Sequence, residues 1–215
     1  MKLRSWKLVK WLAWVGTVLV LLGACLFVGN RAWYRTRTWT PVNIPVPLTV
    51  GHISTPEFVV NVEDTFTIRL DVDSEVPART MDEVLGIGDL SSGKTEAGPG
   101  FKLSWVLRSD GKDVLHGISD GRGEGFWGSR RGRVLGSFHA EKGKRYRLDV
   151  EVLDDGSKLE PYHPHLRVGA DLFTLDGYAM ATGISQVAAL AVVGFGTALL
   201  ISAMIVRLLS RRYRS

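Results

Sequence analysis

The nine residues TFTIRLDVD, positions 65–73, decide how this chain folds. Phe66, Ile68, Leu70 and Val72 alternate with Thr65, Thr67, Arg69 and Asp71. Successive side chains of an extended backbone point to opposite faces, so the apolar set shares one face and the polar set the other. The segment predicts a strand of an antiparallel sheet, with one face packed and one wet.

The same period recurs along the middle of the chain. KRYRLDVEVLD (144–154) turns Tyr146, Leu148, Val150 and Val152 inward, with Arg145, Arg147, Asp149 and Glu151 outward. FKLSWVLR (101–108) sets Phe101, Leu103, Trp105 and Leu107 on one face. PLTVGHI, EFVVNV, KDVLHGI, RVLGSFHA and HLRVGA are further strand candidates. SDGKD, EKGK and DDGS separate them with turn chemistry. RTMDEVLGI (79–87) is a short helix candidate in which Thr80 caps and Glu83 answers. Seven or eight short strands with at most one short helix predict a mainly-β antiparallel sandwich, over residues 49–181. FHAEKGKRYRLDV (138–150) resembles the closing hairpin of extracytoplasmic jelly-roll modules, a pattern too general to name a family.

Charge is distributed unevenly around this domain. The net charge is +5 and the isoelectric point near 9.5, yet all 22 acidic residues lie between Glu57 and Asp176. Lys2, Arg4, Lys7 and Lys10 open the chain, and Arg207, Arg211, Arg212 and Arg214 close it. The remaining 19 cations face 22 acids, so the middle is slightly acidic. The basic balance belongs to the ends and does not mark a nucleic-acid surface.

Those ends flank two uncharged runs, WLAWVGTVLVLLGACLFVG (11–29) and GISQVAALAVVGFGTALLISAMIV (183–206). About 20 apolar residues cross a hydrocarbon core as a helix, so both predict transmembrane α-helices flanking the β domain. Cations at both outer ends place both termini, residues 1–10 and 207–215, in the cytoplasm and the middle domain outside. Trp6, Trp11 and Trp14, with Trp33, Tyr34 and Trp39 beyond the run, suit interfacial belts. Residues 30–48 carry Pro41, Pro45 and Pro47 and read as a semi-rigid linker. LLGAC, ending at the sole cysteine Cys25, offers a rival reading as a lipidation signal, but Leu26, Phe27 and Val28 prolong the apolar run. Without disulfides or an N-x-[ST] acceptor, the expected setting is a bacterial inner membrane with a periplasmic domain.

Chemical motifs are weak in context. GDLSSGKT (88–95) fits the phosphate-loop pattern, but EAGPG follows where a helix must begin, so no nucleotide is expected. His163 and His165 in PYHPH are candidate metal ligands that lack partners at diagnostic spacing. DVDSEV (71–76) lacks the glycine and later glutamate of a calcium loop. No G-x-S-x-G elbow occurs. The cations of SRRGR and EKGKRYR read as a solvated strand face and loop, with acidic headgroups or a partner as the alternative. Seven glycines fall between Gly117 and Gly136, a candidate functional loop. On the second span Ala191, Gly194, Ala198 and Ser202 form a small-residue stripe expected to meet the first span or another subunit.

These observations predict a non-catalytic interaction or accessory subunit, with lipid and a protein partner or second copy as its associates and no cofactor. The alternative is an extracytoplasmic ligand- or metal-dependent binder or hydrolase using the glycine-rich loop and the His163/His165 region.

Overall fold

The structure, a computed structural model, describes residues 2–73, 75, 85–86, 101–119, 125–126 and 130–212. It divides into two compact units, Thr38–Leu175 and a helical unit of Met1–Arg37 with Asp176–Ser215.

The first unit is mainly β. Its described strands are β1 (Val42–Pro45), β2 (Gly51–Ser54), β3 (Phe58–Val59), β4 (Asp64–Asp73), β5 (Leu103–Ser109), β6 (Lys112–Ser119), β7 (Gly125–Phe126), β8 (Arg130–Ala140), β9 (Arg145–Val152) and β10 (His165–Ala170). They form two antiparallel sheets of five strands. The first runs β1-β10-β4-β8-β7; the second runs β2-β9-β5-β6, with β3 also on β9. A 3₁₀ turn, Ser157–Tyr162, precedes β10.

The inward faces are those the alternation predicts. Phe66, Ile68, Leu70 and Val72 from one sheet and Leu103, Trp105, Leu107, Leu148, Val150 and Val152 from the other are buried in one continuous cluster. Each such side chain contributes about 1.5–3 kcal/mol by leaving water. Trp105 occupies the space left by two glycines. A Cβ on Gly117 would lie 2.5 Å from its ring, and one on Gly136 would collide with it outright. The register of β4 on β8 slips between Ile68 and Arg69, leaving Leu135 as an extra residue. The Leu135 carbonyl accepts the buried Trp105 Nε1–H at 3.0 Å.

The linker reading of residues 30–48 is only partly matched. Helix continues to Arg37, and Val42–Pro45 adds a strand to the sheet edge. Among the described residues β1 pairs with β10 alone, so Pro45 sits on an edge strand, where a missing N–H is tolerated. Gly88–Thr95 lies outside the described residues, as does the helix candidate 79–87 apart from Leu85 and Gly86.

The second unit contains two long apolar helices. α1 spans Lys2–Arg37 and α2 spans Leu172–Arg212. Asp171 caps α2: its Oδ2 accepts the Phe173 N–H at 3.1 Å and the Thr174 N–H at 3.4 Å.

Candidate functional site

The polar faces of the strands depart most from expectation. Thr67, Arg69 and Asp71 were expected in water, but all three are buried, Arg69 at 4% and Asp71 at 1% exposure. Antiparallel register shows what surrounds them. Arg69 stands opposite Arg167 and Val134, Asp71 opposite His165 and Gly132, and Thr67 opposite Gly169 and Ser137. Two glycines make the room. The ring of Phe126 sits where a Gly132 side chain would go, 2.7 Å from an added Cβ. Arg69 Nη2 lies 3.0 Å from the Cβ position of Gly169, and its guanidinium stacks 5.6 Å above the Phe126 ring.

Ion pairs extend across this face. Arg167 Nη1 donates to Asp71 Oδ2 at 2.8 Å, and Arg130 Nη1 donates to Asp73 Oδ1 at 2.8 Å. Arg69, Arg130 and Arg167 stand with Asp71 and Asp73, and Asp171 acts on Arg69 as a third carboxylate. Arg69 Nε, Asp71 Oδ1, Thr67 Oγ1, Arg130 Nε and Arg167 Nε are buried without hydrogen-bond partners among the described residues. Each unmade buried bond costs about 1–3 kcal/mol. Burial lowers the Arg69 pKa from its ordinary value, Asp71 and Asp171 oppose that shift, and Arg167 adds to it.

His163 and His165 border this face without converging. His163 has φ 48° and ends the 3₁₀ turn; its Nδ1 lies 2.8 Å from Asp73 Oδ2, and its carbonyl accepts Arg130 Nη2–H at 2.7 Å. His165 Nδ1 lies 2.9 Å from Asn43 Oδ1. Burial, then Arg130, lowers the His165 pKa below the ordinary histidine value. Among the described residues no three His, Cys, Asp or Glu side chains gather as a metal centre. Asp71–Asp73 of the calcium-like segment lie in β4 and are engaged by arginines.

Two more residues expected in solvent are internal. Arg133, read as part of a solvated face, is fully buried and stands opposite Leu70. It donates to the carbonyls of Leu85 at 3.0 Å and Phe101 at 3.1 Å, tying together the two flanks of residues 86–100. Asp149 is buried on the second sheet and accepts from Ser54 and from Arg108 Nη1 at 2.5 Å. Arg108 also donates to Asp113 at 2.7 Å. Unlike the first sheet's cluster, this network leaves no buried side-chain atom of Ser54, Arg108 or Asp149 unpartnered.

In the helical unit the two helices meet each other through residues other than the expected stripe, whose other alternative, contact with another subunit, stays an expectation. Ala191, Gly194, Ala198 and Ser202 are exposed, and a Cβ on Gly194 meets nothing within 4 Å. The buried positions of α2 are Thr182, Ala189, Gly196 and Ala203, seven apart. They meet an equivalent row on α1. An added Cβ on Gly16 lies 2.8 Å from the Gly196 carbonyl oxygen, and one on Gly23 lies 2.9 Å from that of Ala189. Asn30 Nδ2 donates to the Thr182 carbonyl at 3.0 Å. Rising numbers on α1 meet falling numbers on α2, so the pair is antiparallel with a heptad seam of small residues. Residues two apart on a helix are about 200° apart around it, which carries the expected stripe to the far side.

Both ends of this pair bear cations on aromatic rings. Lys10 and Arg207 lie 5.1 and 6.0 Å from the Trp6 ring. At the other end Arg37 lies 5.8 Å from Trp33 and 5.7 Å from Tyr178, whose rings meet edge-on at 5.3 Å. Cys25 is exposed on α1.

No family model matches the chain, and no curated protein does. Among seven solved chains with detectable likeness is the crystal structure of a protein from Sulfurospirillum deleyianum, at 13% identity and TM-score 0.45. The match covers 61% of this chain and 98% of that one, and it assigns no activity.

Proposed function

We propose that this is a two-span membrane protein with both termini in the cytoplasm and a jelly-roll-like β-sandwich outside, in a bacterial inner membrane. It acts without catalysis, as an interaction or accessory subunit of a membrane or envelope complex.

The observation that carries this reading is the surface of the helix pair. Only 11% and 17% of the most apolar windows of α1 and α2 are buried, leaving Trp11, Trp14, Leu21, Val187, Leu190 and Phe195 exposed. A core helix of a soluble protein buries such residues; these need lipid. The aromatic–cation pairs at either end agree. Trp33 follows Trp6 by 27 positions, about 40 Å of helix, close to the roughly 40–45 Å between the two headgroup regions. The cationic ends support the orientation.

Protease added to intact spheroplasts tests it. The β domain is digested while tags on both termini survive, and alkaline carbonate leaves the helices in the membrane. A protected middle domain, or release by carbonate, refutes the topology. The subunit role fails if gently solubilised protein, crosslinked beforehand in cells, associates with neither itself nor another chain.

A further inference from the structure

The antiparallel helix pair brings the start of α1 and the end of α2 together around one aromatic ring. Lys10 Nζ lies 5.1 Å from the centroid of the Trp6 ring, and the Arg207 guanidinium, on the other helix, lies 6.0 Å from it. Two cations from different helices are thereby held within about 11 Å of each other. No acid in their neighbourhood answers them. Positions 1–10 and 207–215 supply eight cations and no acidic side chain. The helical unit has one side-chain carboxylate, Asp176, about 45 Å of helix away from Arg207. α1 also begins at this end with no acid in its first turn, so the free amides of that turn add partial positive charge. Beside the cations the surface is hydrocarbon: Leu8, Trp11, Leu208 and Leu209 are each more than half exposed.

A soluble anion answers the two charges and leaves that hydrocarbon in water. A zwitterionic lipid covers the hydrocarbon but brings a cation of its own to a surface without a carboxylate to receive it. An anionic phospholipid meets both needs: its phosphodiester oxygens accept from Lys10 and Arg207, and its acyl chains cover Leu8 and Leu208. We propose that Trp6, Lys10 and Arg207 form a headgroup site selective for phospholipids of net negative charge, of the phosphatidylglycerol class. The ring takes part by holding both cations over its face, partly dehydrated and aimed at one place. This deepens the membrane reading and rests on it, adding which lipid the helix pair gathers and with which residues.

The test uses the full chain reconstituted in phosphatidylcholine vesicles that carry a trace of spin-labelled phosphatidylglycerol or spin-labelled phosphatidylcholine. The motionally restricted fraction of each label gives its relative affinity for the protein. Phosphatidylglycerol is expected to bind at least about fivefold more tightly, the worth of one cation near a membrane surface. Lys10→Gln and Arg207→Gln each lower that preference, and together they bring the two lipids to within about twofold. Trp6→Leu lowers it without removing a charge, and Lys10→Arg, which keeps the charge, retains it. Lys7→Gln removes an exposed cation of the same helix that stacks on no ring among the described residues, and it leaves the preference in place. All these side chains are exposed, and far-ultraviolet circular dichroism confirms that each variant keeps its helices. Equal affinity of the parent chain for the two lipids overturns the proposal. So does an equal loss from Lys7→Gln and Arg207→Gln, which would show diffuse attraction to a basic end in place of a site. If alkaline carbonate strips the chain from these vesicles, the membrane reading fails and the site fails with it. A chain that resists carbonate and shows no lipid preference loses the site alone.

Discussion

Gly16→Ile tests the small-residue seam between α1 and α2. A Cβ at position 16 would lie 2.8 Å from the Gly196 oxygen and 2.9 Å from Leu200 Cγ, whereas ordinary contacts begin near 3.4 Å. One added carbon therefore asks the helices to part by about 0.5 Å, and the further carbons of isoleucine ask for more. Overpacking of this kind costs about 1–3 kcal/mol, which lowers the paired population roughly 5- to 150-fold. Oxidative crosslinking in membranes reads that population directly. Cysteines at Val9 and Ala203, one heptad beyond the Gly16–Gly196 contact, report the seam in a Cys25→Ser background. Gly16→Ile is expected to slow their crosslinking at least fivefold. Gly194→Ile, whose side chain enters open space, leaves the rate unchanged. Equal rates for Gly16→Ile and the parent, or a larger loss with Gly194→Ile, would show that the helices meet through another face.

Three further perturbations test the β unit. Arg133→Met strips the donors from the buried carbonyls of Leu85 and Phe101, and urea unfolding should show a loss of about 2–4 kcal/mol; an unchanged midpoint would deny that Arg133 holds the flanks of that segment. The pKa of His165 is lowered from 6.5 by burial and by Arg130, so the unfolded chain binds a proton that the folded chain resists, and this contribution to stability falls as pH drops through about 6.5. His165→Gln should therefore flatten the change in urea midpoint between about pH 7.5 and pH 5.5, and an unaltered slope would contradict the assignment. Asp171→Ala removes the cap on the Phe173 and Thr174 amides at a cost of about 0.5–2 kcal/mol; hydrogen exchange at the start of α2 should quicken, and unchanged protection there would rule the cap out.

The inner faces were legible because water enforces them. Wherever Phe66, Ile68, Leu70 and Val72 or Tyr146, Leu148, Val150 and Val152 alternate with polar residues, only one register hides all the carbon, so period two carries both strand and facing. The outer faces were not legible. Thr67, Arg69 and Asp71 form the same polar alternation in water or beneath neighbours, and nothing in TFTIRLDVD announces that Phe126 will stack on Arg69 or that Arg167 will reach Asp71. A signal did exist in glycines 132 and 169, which leave side-chain space beside that row, but their meaning depends on strand register. Arg133 misled for the opposite reason: an arginine reads as exposed unless its acceptors are known, and Leu85 and Phe101 lie more than 30 positions away in the chain.

By itself, then, the order of residues determined the two long apolar helices, the basic ends, the mainly-β middle and the facing of its carbon-rich sides. These follow from local periods and from the free energy of hiding hydrocarbon, which every stretch meets wherever it lies. Tertiary structure alone decided which small residues form the helix seam and which charges lie inside. Small residues occur on more than one side of α2, and the chosen side is the one whose seven-residue spacing matches Gly16 and Gly23 across the pair. Buried charge likewise depends on partners brought together from distant positions, and no local pattern encodes that meeting.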